Sequence, residues 1–311
     1  MIKRTLYFGN PAYLSLSSKQ MVVKLPEVEK AENMTEKLKY QSRRTIPIED
    51  IGVVVLDDSR ITITQPLIGA LLENNTALIT CNKERMPIGL MLPLNQNSVQ
   101  SERFRAQIEV SQPLKKQIWQ QTIQSKIENQ AAVLREKRGV EVRNMLAWVK
   151  DVRSGDSENL EGRAAAYYWK NLFPSVAHFT RGRDDMPPNN LLNYGYAILR
   201  AVVARALVSS GLLPTLGVHH HNKYNAYCLA DDIMEPYRPY VDQIVIDIVD
   251  SGEPYDELTK DLKAKLLSIP ITQIVIGGKR SPLMVGVAQT TASLARCFEG
   301  EARKVVYPTL L

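Results

Sequence analysis

The most informative stretch of the chain lies in its second half and reads Val218-His-His-His-Asn-Lys-Tyr-Asn-Ala-Tyr-Cys-Leu-Ala-Asp-Asp-Ile-Met-Glu-Pro-Tyr-Arg-Pro239. It places three of the four histidines of the chain near three carboxylates: His219, His220 and His221 precede Asp231, Asp232 and Glu235. Imidazole and carboxylate groups together form a ligand mixture that Mg²⁺ and Mn²⁺ accept in proteins. The stretch therefore indicates metal-dependent chemistry.

The same stretch predicts a loop that contains the histidines, followed by a helix that begins near Asn225. Asp232 and Glu235 stand three positions apart, so they share one helix face and can converge on one point. Asp231 is turned roughly 100° away from them. Pro236 has no backbone N–H, so it predicts a kink just after the acidic pair.

A further acidic candidate is Glu161, which lies on a helix predicted from Leu160 to Leu172. The residues on its face are small or apolar: Ala164, Ala165, Tyr168 and Leu172. An unpaired buried charge is costly, so Glu161 needs a partner. Two interpretations stay open: a salt bridge to an arginine such as Arg200 or Arg205, or a metal ligand.

The hydrophobic periodicity changes once, near residue 95. Before it, short β-type runs surround one helix over residues 66–73; the predicted strands are Thr5 to Phe8, Tyr13 to Ser15, Met21 to Lys24, Ile51 to Leu56, Ile61 to Thr64 and Ala77 to Cys81. From about residue 100 the pattern is helical, with Ile118, Trp119, Ile123 and Ile127 at helical spacing. We predict an α+β protein with a β-rich domain over residues 1–95 and a larger, mainly α-helical domain over 96–311.

Two further elements are predicted in the helical part. Residues 190–210 form an apolar central helix, with Asn189 or Asn190 as its N-cap and Gly211 as its C-terminal stop. Residues 274–285 form a hairpin around Gly277-Gly278. This double glycine lacks the spacing of a phosphate-binding loop, so we expect no nucleotide cofactor.

Composition excludes several classes of protein. The longest apolar stretch, Leu191 to Leu213, is interrupted by polar residues, and the N-terminal residues lack the apolar segment of a signal peptide. We therefore expect no membrane span and a cytoplasmic location. The cysteines are widely separated, which favours buried reduced thiols over disulfides, a zinc site or thiol catalysis: Cys81, Cys228 and Cys297.

The net charge of +6 is unevenly distributed. Residues 101–150 contain five glutamates and ten basic residues: Arg103, Arg105, Lys115, Lys116, Lys126, Arg135, Lys137, Arg138, Arg143 and Lys150. Such a segment can bind a phosphate backbone, or it can be the solvated surface of a helix.

Three separated motifs resemble one known family. They are Glu161-Gly-Arg-Ala-Ala165 with Tyr167-Tyr-Trp169, then Asn193-Tyr-Gly-Tyr196, then His220-x-Asn222-x-x-Asn225 leading into Asp232-Ile-Met-Glu-Pro-Tyr-Arg-Pro239. The chain is similar, from its first strands onward, to the CRISPR-associated integrase, the nuclease that inserts new spacers into CRISPR arrays during antiviral defence. The Asn-rich loop and the Glu-Pro-Tyr-Arg-Pro ending resemble its type II branch most.

The resemblance implies a dimerising β-rich domain and a helical catalytic domain with one Mg²⁺ or Mn²⁺ site. The family's metal ligands fall on Glu161, His220 and Glu235, and Asp232 matches a supporting acidic position. The spacing to Asp232 and Glu235 selects His220 among the three histidines, which leaves His219 and His221 to face DNA or solvent. Arg163, Lys223 and Arg238 are candidates for neutralising phosphates, as are Lys115, Lys116, Arg135, Lys137 and Arg138 of the basic segment.

The implied partners are double-stranded DNA (spacer precursor and CRISPR repeat), a second copy of the chain, the small partner protein of the adaptation complex and the type II effector nuclease. The implied reaction is attack of a DNA 3′-hydroxyl on a repeat phosphodiester; attack by water would make the same site a nuclease. Two alternatives remain open: a metal-dependent repair nuclease on branched DNA, and a catalytically silent DNA-binding scaffold whose acidic cluster is a salt-bridge network.

Overall fold

The computed structural model describes residues 2–182 and 186–310. The chain divides into two compact units, Met1–Gln96 and Asn97–Leu311. The first unit is rich in strands and the second is mainly helical, which confirms the α+β class and the order of its two parts.

The first unit contains two four-stranded sheets. The elements of this unit are β1 Arg4–Phe8, β2 Tyr13–Ser17, β3 Gln20–Lys24, α1 Pro26–Glu29, α2 Glu36–Gln41, β4 Arg44–Pro47, β5 Ile51–Leu56, β6 Thr62–Ile63, α3 Gln65–Glu73, β7 Ala77–Cys81 and β8 Pro87–Met91. In one sheet, β1, β5 and β7 run parallel and β8 pairs antiparallel with β7 at the edge; in the other sheet, the order is β4-β3-β2-β6. The core of this unit is formed by residues such as Leu14, Met21, Val54 and Leu71.

The six strands predicted in this unit are present, but β4 and β8 were missed. Both are edge strands that contribute no buried residue, so neither shows the alternation of buried and exposed positions that reveals a strand in sequence. The short helices α1 and α2 also contain no buried residue and carry no apolar face that could predict them.

The second unit is built around two long helices, α5 and α8. Its elements are α4 Gln100–Glu109, α5 Gln112–Val133, α6 Arg143–Asp151, α7 Leu160–Leu172, α8 Asn189–Ser209, α9 Cys228–Met234, α10 Arg238–Asp250, α11 Lys260–Leu266, β9 Gln273–Ile276, β10 Lys279–Pro282, α12 Leu283–Phe298 and β11 Pro308–Thr309. Helix α5 packs against α6, α7 and α10 and against the turn between α9 and α10. Helices that are distant in sequence therefore meet along α5.

Helix α8 is long and apolar enough to cross a membrane, but 72% of its apolar window is buried inside the protein. This is the pattern of a core helix. It begins one residue earlier than predicted, and Pro188 rather than an asparagine precedes it as the N-cap. Asn189 does not cap the helix because its side chain bonds the preceding loop, accepting from Arg181 and from the backbone N–H of Gly182.

The predicted hairpin is present as β9 and β10, joined by Gly277 and Gly278. Both glycines have positive φ, 56° and 75°, which suits a tight two-residue hairpin turn. The helix after the histidines begins at Cys228 rather than near Asn225. Asn225 instead forms a local turn, in which its side-chain oxygen accepts from the backbone N–H of Tyr227.

Replacing Gly195 of α8 with alanine tests the close packing of α8 on α10. A β-carbon at this position would stand 2.5 Å from Cγ1 of Val241, a fully buried residue. We expect Gly195→Ala to destabilise the second unit by roughly 1–3 kcal/mol because overpacking outweighs the gain in helix propensity. Gly69→Ala in α3 is the control, since a β-carbon added there would meet no neighbouring side chain or loop within 4 Å. This variant should stabilise its unit by about 0.5–1 kcal/mol. Denaturant unfolding of both variants measures the two effects; stabilisation by Gly195→Ala would contradict this packing.

Candidate active site

Glu161 lies in the first turn of α7, whose start is fixed by two side chains. Asp156 accepts hydrogen bonds from the backbone N–H groups of Leu160 (2.9 Å) and Glu161 (3.0 Å), and Asn159 accepts from that of Gly162 (3.2 Å). These bonds satisfy backbone donors that an α-helix leaves free at its N-terminus. The side chain of Glu161 is thereby held on the face of α7 that meets α5.

Glu235 lies in the short turn between α9 and α10, where Pro236 interrupts the helix as predicted. Its Oε1 accepts from Nε of Arg238 at 2.8 Å, and its Oε2 lies 2.6 Å from Nζ of Lys126. The second contact is close but poorly aligned, so this buried oxygen has no well-formed hydrogen bond among the described residues. Burial alone would raise the pKa of Glu235, but the charges of Arg238 and Lys126 outweigh burial and lower it to about 2. Glu235 is therefore ionised at neutral pH.

The two glutamates converge on one cation, the ammonium group of Lys126 on α5. Its Nζ lies 2.6 Å from Oε1 of Glu161 and 2.6 Å from Oε2 of Glu235. Lys126 is only 8% exposed. Burial would lower its pKa, but the charges of Glu235 and Glu161 raise it. The ammonium is therefore positively charged at neutral pH, and it lies between two carboxylates that are separated by more than 70 positions in sequence.

Asp232 is fully buried and holds the histidine loop. Its Oδ2 accepts from the backbone N–H groups of Val218 (2.7 Å) and His219 (3.0 Å), and its Oδ1 accepts from that of His220 (3.2 Å). The loop passes so close that a β-carbon on Gly217 would lie 2.8 Å from Oδ2 of Asp232 and 2.4 Å from the carbonyl oxygen of His220. Only glycine fits there.

Asp232 also orients the ring of His220. Nδ1 of His220 lies 2.5 Å from Oδ1 of Asp232, and this bond raises the pKa of the imidazole. A carboxylate on Nδ1 fixes the ring orientation and leaves Nε2 to face another partner. The negative charges of Glu235 and Glu161 also act to raise the pKa of this ring.

The three histidines have different surroundings. His219 stacks on Trp119 of α5 at 4.0 Å between ring centroids, and burial lowers its pKa. His220 meets the same indole edge-on at 5.6 Å. His221 is exposed. Trp119 therefore fixes the position of the loop from the α5 side.

Asp232 and Glu235 were predicted to converge on one point, but in the structure they bind different partners. Asp232 bonds the histidine loop, whereas Glu235 bonds Lys126 and Arg238. Across residues 2–182 and 186–310, no three His, Cys, Asp or Glu side chains lie close enough to form a complete metal-binding group. Lys126 supplies the positive charge between the two glutamates, so metal ligation by Glu161, His220 and Glu235 stays a prediction.

Lys126 is the residue that sequence reasoning misplaced. The sequence groups it with the basic segment and suggests Arg200 or Arg205 as the ion-pair partner of Glu161. In the structure, Glu161 pairs with Lys126 instead. Arg200 pairs with Asp231 at 2.6 Å. The sequence does contain a signal that Lys126 is buried. Lys126 lies seven positions after Trp119, so it shares the buried stripe of α5.

The predicted phosphate-binding residues fall into two groups. The first group has side chains that solvent can reach: the exposed residues are Arg163, Lys116, Lys223 and Arg135, and the half-buried one is Lys115. The others are held by carboxylates: Lys137 by Asp247 (2.8 Å), Arg138 by Asp250 (2.7 Å) and Arg238 by Glu235 (2.8 Å). The guanidinium of Arg238 serves a buried carboxylate, and neutralisation of phosphate by Arg238 stays a prediction.

A buried network supports Arg238 from behind. Its guanidinium carbon lies 4.5 Å from the centroid of the Tyr196 ring. The hydroxyl groups of Tyr196 (2.5 Å) and Tyr168 (2.9 Å) donate to the two oxygens of Asp242. Burial raises the pKa of Asp242 to about 6, although the tyrosine bonds act to lower it. This chain of contacts fixes Arg238, which in turn fixes Glu235.

The fold and site define a class: an α+β protein whose helical unit brings one buried and one half-buried glutamate onto a single lysine ammonium and also holds a histidine oriented by an aspartate. A family model described as CRISPR associated protein Cas1 matches residues 7–276. The CRISPR-associated endonuclease Cas1 of Neisseria meningitidis serogroup C (strain 8013) is 35% identical over 313 residues, which cover 100% of this chain and 97% of that protein. The chain belongs to the Cas1 family, as its three sequence motifs predicted.

Solved structures show the same fold. A casposase bound to integration product matches with a TM-score of 0.77 at 21% identity, over 98% of this chain and 92% of that chain. A Cas6-RT-Cas1–Cas2 complex matches with a TM-score of 0.73 at 22% identity, over 100% of this chain and 36% of that chain.

Replacing Asp232 with asparagine tests its role as the anchor of the histidine loop. The amide retains one acceptor oxygen and directs an NH₂ group at N–H donors, so we expect a loss of roughly 1–3 kcal/mol in local stability. Hydrogen exchange should become faster at the amides of Val218, His219 and His220, with the amides of α12 as an internal control. Unchanged exchange in the loop would show that Asp232 does not hold it.

Replacing Asp242 with asparagine tests whether burial raises the pKa of the Asp242 carboxyl group. An acid whose pKa is raised in the folded protein contributes stability below its ordinary pKa of 3.8, and this contribution is lost as pH rises through about 6. Relative to Asp242→Asn, the wild type should therefore lose up to roughly 3 kcal/mol of unfolding free energy between pH 4 and pH 7. Urea unfolding at several pH values measures the difference, which would be independent of pH if Asp242 kept an ordinary pKa.

Proposed function

We propose that the protein is a metal-dependent DNA integrase and endonuclease that inserts short DNA fragments into a CRISPR array. The observation that carries the proposal is the convergence of Glu161 and Glu235, from distant elements, on one cation in the unit that also holds the Asp232-oriented His220. Family membership supports it, as do the printed names of the similar proteins, which include an endonuclease and a casposase bound to integration product.

The side chains present fit a divalent cation. Oε1 of Glu161 and Oε2 of Glu235 lie on the same ammonium, so these oxygens are no farther apart than twice 2.6 Å. Oε2 of Glu235 is buried without a well-formed hydrogen bond, and Nε2 of His220 is left for a partner by the bond at Nδ1. Two carboxylates and an imidazole are ligands for Mg²⁺ or Mn²⁺. Glu161, His220 and Glu235 would hold the ion.

A bound divalent ion would supply Lewis-acid stabilisation of the charge on a phosphodiester undergoing in-line displacement. The chain's own residues prepare for it. Arg238 keeps Glu235 ionised, and Asp232 keeps the His220 ring in one orientation. The exposed cations Arg163 and Lys223 can neutralise DNA phosphates at the edge of the site, and Lys115, Lys116 and Arg135 can do so along the basic segment.

We propose four kinds of partner. The substrates are double-stranded spacer precursor and CRISPR repeat DNA. Joining both ends of a fragment needs two active sites, so we propose a homodimer formed through the β-rich unit. The small partner protein of the adaptation complex would bridge dimers, in line with the similar chain found in a Cas1–Cas2 complex. The type II effector nuclease would assist spacer selection, and the reaction would take place on DNA in the cytoplasm.

A second candidate function is a catalytically silent DNA-binding scaffold. One specific observation favours it: Lys126 and Arg238 together balance the charges of Glu161 and Glu235 without any metal ion. In that case the acidic cluster would be a structural salt-bridge network.

An integration assay separates these functions. A duplex with 3′-hydroxyl ends is incubated with a repeat-containing plasmid, with and without Mn²⁺ or Mg²⁺. We expect divalent-dependent strand joining that falls on the order of a hundredfold or more in Glu161→Gln, His220→Ala and Glu235→Gln, because each would remove a metal ligand. Glu158→Gln is the matched control, an exposed carboxylate three residues before Glu161.

The fragment end distinguishes the alternatives. Joining should vanish with a 3′-dideoxy end. Divalent-dependent cleavage that persists with the blocked end, without joining, would indicate a repair nuclease. DNA binding without any product under all conditions would contradict the proposal and favour the scaffold.

A further inference from the structure

Lys126 stands apart from the three motifs and from the exposed basic residues. It projects from α5, which also carries Trp119, the residue that positions the histidine loop. Two other buried polar residues of α5 are held by distant groups: Thr122 by the hydroxyl of Tyr307, and Asn129 by the backbone carbonyls of Pro236 and Pro308. Lys126 alone among these three is charged, and its contacts are the two glutamates.

The charges in the cluster balance only while Lys126 takes part. Two carboxylates, Glu161 and Glu235, face two cations, Lys126 and Arg238. A buried carboxylate that loses its compensating charge is strongly destabilising. A divalent ion placed between the glutamates would instead give the cluster two positive charges in excess. The ammonium and the metal ion therefore compete for the same oxygens.

The two cations of the cluster are not equivalent. Arg238 binds Oε1 of Glu235 and is fixed from behind by the ring of Tyr196. Lys126 contacts Oε2 of Glu235 and Oε1 of Glu161, the oxygens that would face the ion. Its ammonium is a point charge on a flexible four-carbon stem, so it can leave these oxygens without moving α5. Only Lys126 is placed to be exchanged.

We propose that Lys126 is a positioning residue that occupies the cation position between Glu161 and Glu235 in the metal-free protein and is displaced when a divalent ion binds. It keeps the two carboxylates together before loading, and it lowers the affinity for the ion. Once displaced, the ammonium stays within reach of the same site, where a DNA phosphate brings compensating negative charge. The inference rests on the metal site of the proposed function.

Metal binding without DNA tests the competition. The full chain is stripped with chelator and titrated with Mn²⁺, followed by calorimetry and by thermal unfolding. We expect Lys126→Met to bind Mn²⁺ roughly tenfold or more tightly than the wild type, because the competing cation is gone. Its melting temperature should be lower than that of the wild type without Mn²⁺ and should rise more on adding the ion. Lys150→Met, which replaces an exposed lysine of α6, is the control and should change neither the Mn²⁺ affinity nor the melting temperature.

A second measurement uses the wild type alone and so does not depend on the folding of a variant. Acetylation of lysines with an amine-reactive reagent is followed by mass spectrometry. Lys126 should be protected without Mn²⁺ and at least several-fold more reactive with it, whereas the buried Lys263 should stay protected throughout. Equal Mn²⁺ affinity in Lys126→Met, or equal reactivity of Lys126 with and without Mn²⁺, would overturn the inference.

The outcomes also separate this inference from the proposed function. If Mn²⁺ binds the wild type and Glu161→Gln abolishes binding, the metal site stands; an unaltered affinity in Lys126→Met then contradicts only the role of Lys126. If neither the wild type nor Lys126→Met binds Mn²⁺ in a way that depends on Glu161, the metal site itself is wrong.

Discussion

The helical unit depends on one electrostatic constraint: carboxylates withdrawn from water must be compensated. Glu235 is buried and Glu161 partly so, and they come from elements far apart in sequence. Lys126 joins them through contacts of 2.6 Å to each. Since an uncompensated buried charge costs several kcal/mol, α7 and the turn after α9 can dock on α5 only in an arrangement that satisfies all three charges. Formation of the site and folding of the helical unit are therefore coupled.

Around this cluster, each side chain is fixed by another outside it. Asp232 collects backbone donors of the histidine loop, and Gly217 allows the loop to pass close to that carboxylate. Asp242 accepts hydrogen bonds from two tyrosine hydroxyls, and one of these tyrosines, Tyr196, packs its ring against the guanidinium of Arg238. Rigid second contacts of this kind hold reactive groups in one geometry without help from the substrate.

Sequence alone predicted the α+β class, the kink at Pro236, the hairpin at Gly277-Gly278 and the family. These features have local causes: hydrophobic period, a missing N–H, glycine at positive φ and motifs of fixed spacing. The edge strands β4 and β8 lacked such a signal because neither has a buried face. The role of Lys126 was missed for a different reason. A lysine in a charged helix suggests a solvated surface, and only tertiary packing shows that it meets carboxylates from two other elements.

A crystal structure of the full chain grown with Mn²⁺ would test whether the two glutamates and the histidine bind one metal ion, since anomalous scattering locates the ion independently of activity. We predict one anomalous peak bonded to Glu161, His220 and Glu235, with Nζ of Lys126 moved away from both glutamates. A peak elsewhere, or none at saturating Mn²⁺ with Lys126 still between the two carboxylates, would contradict this prediction.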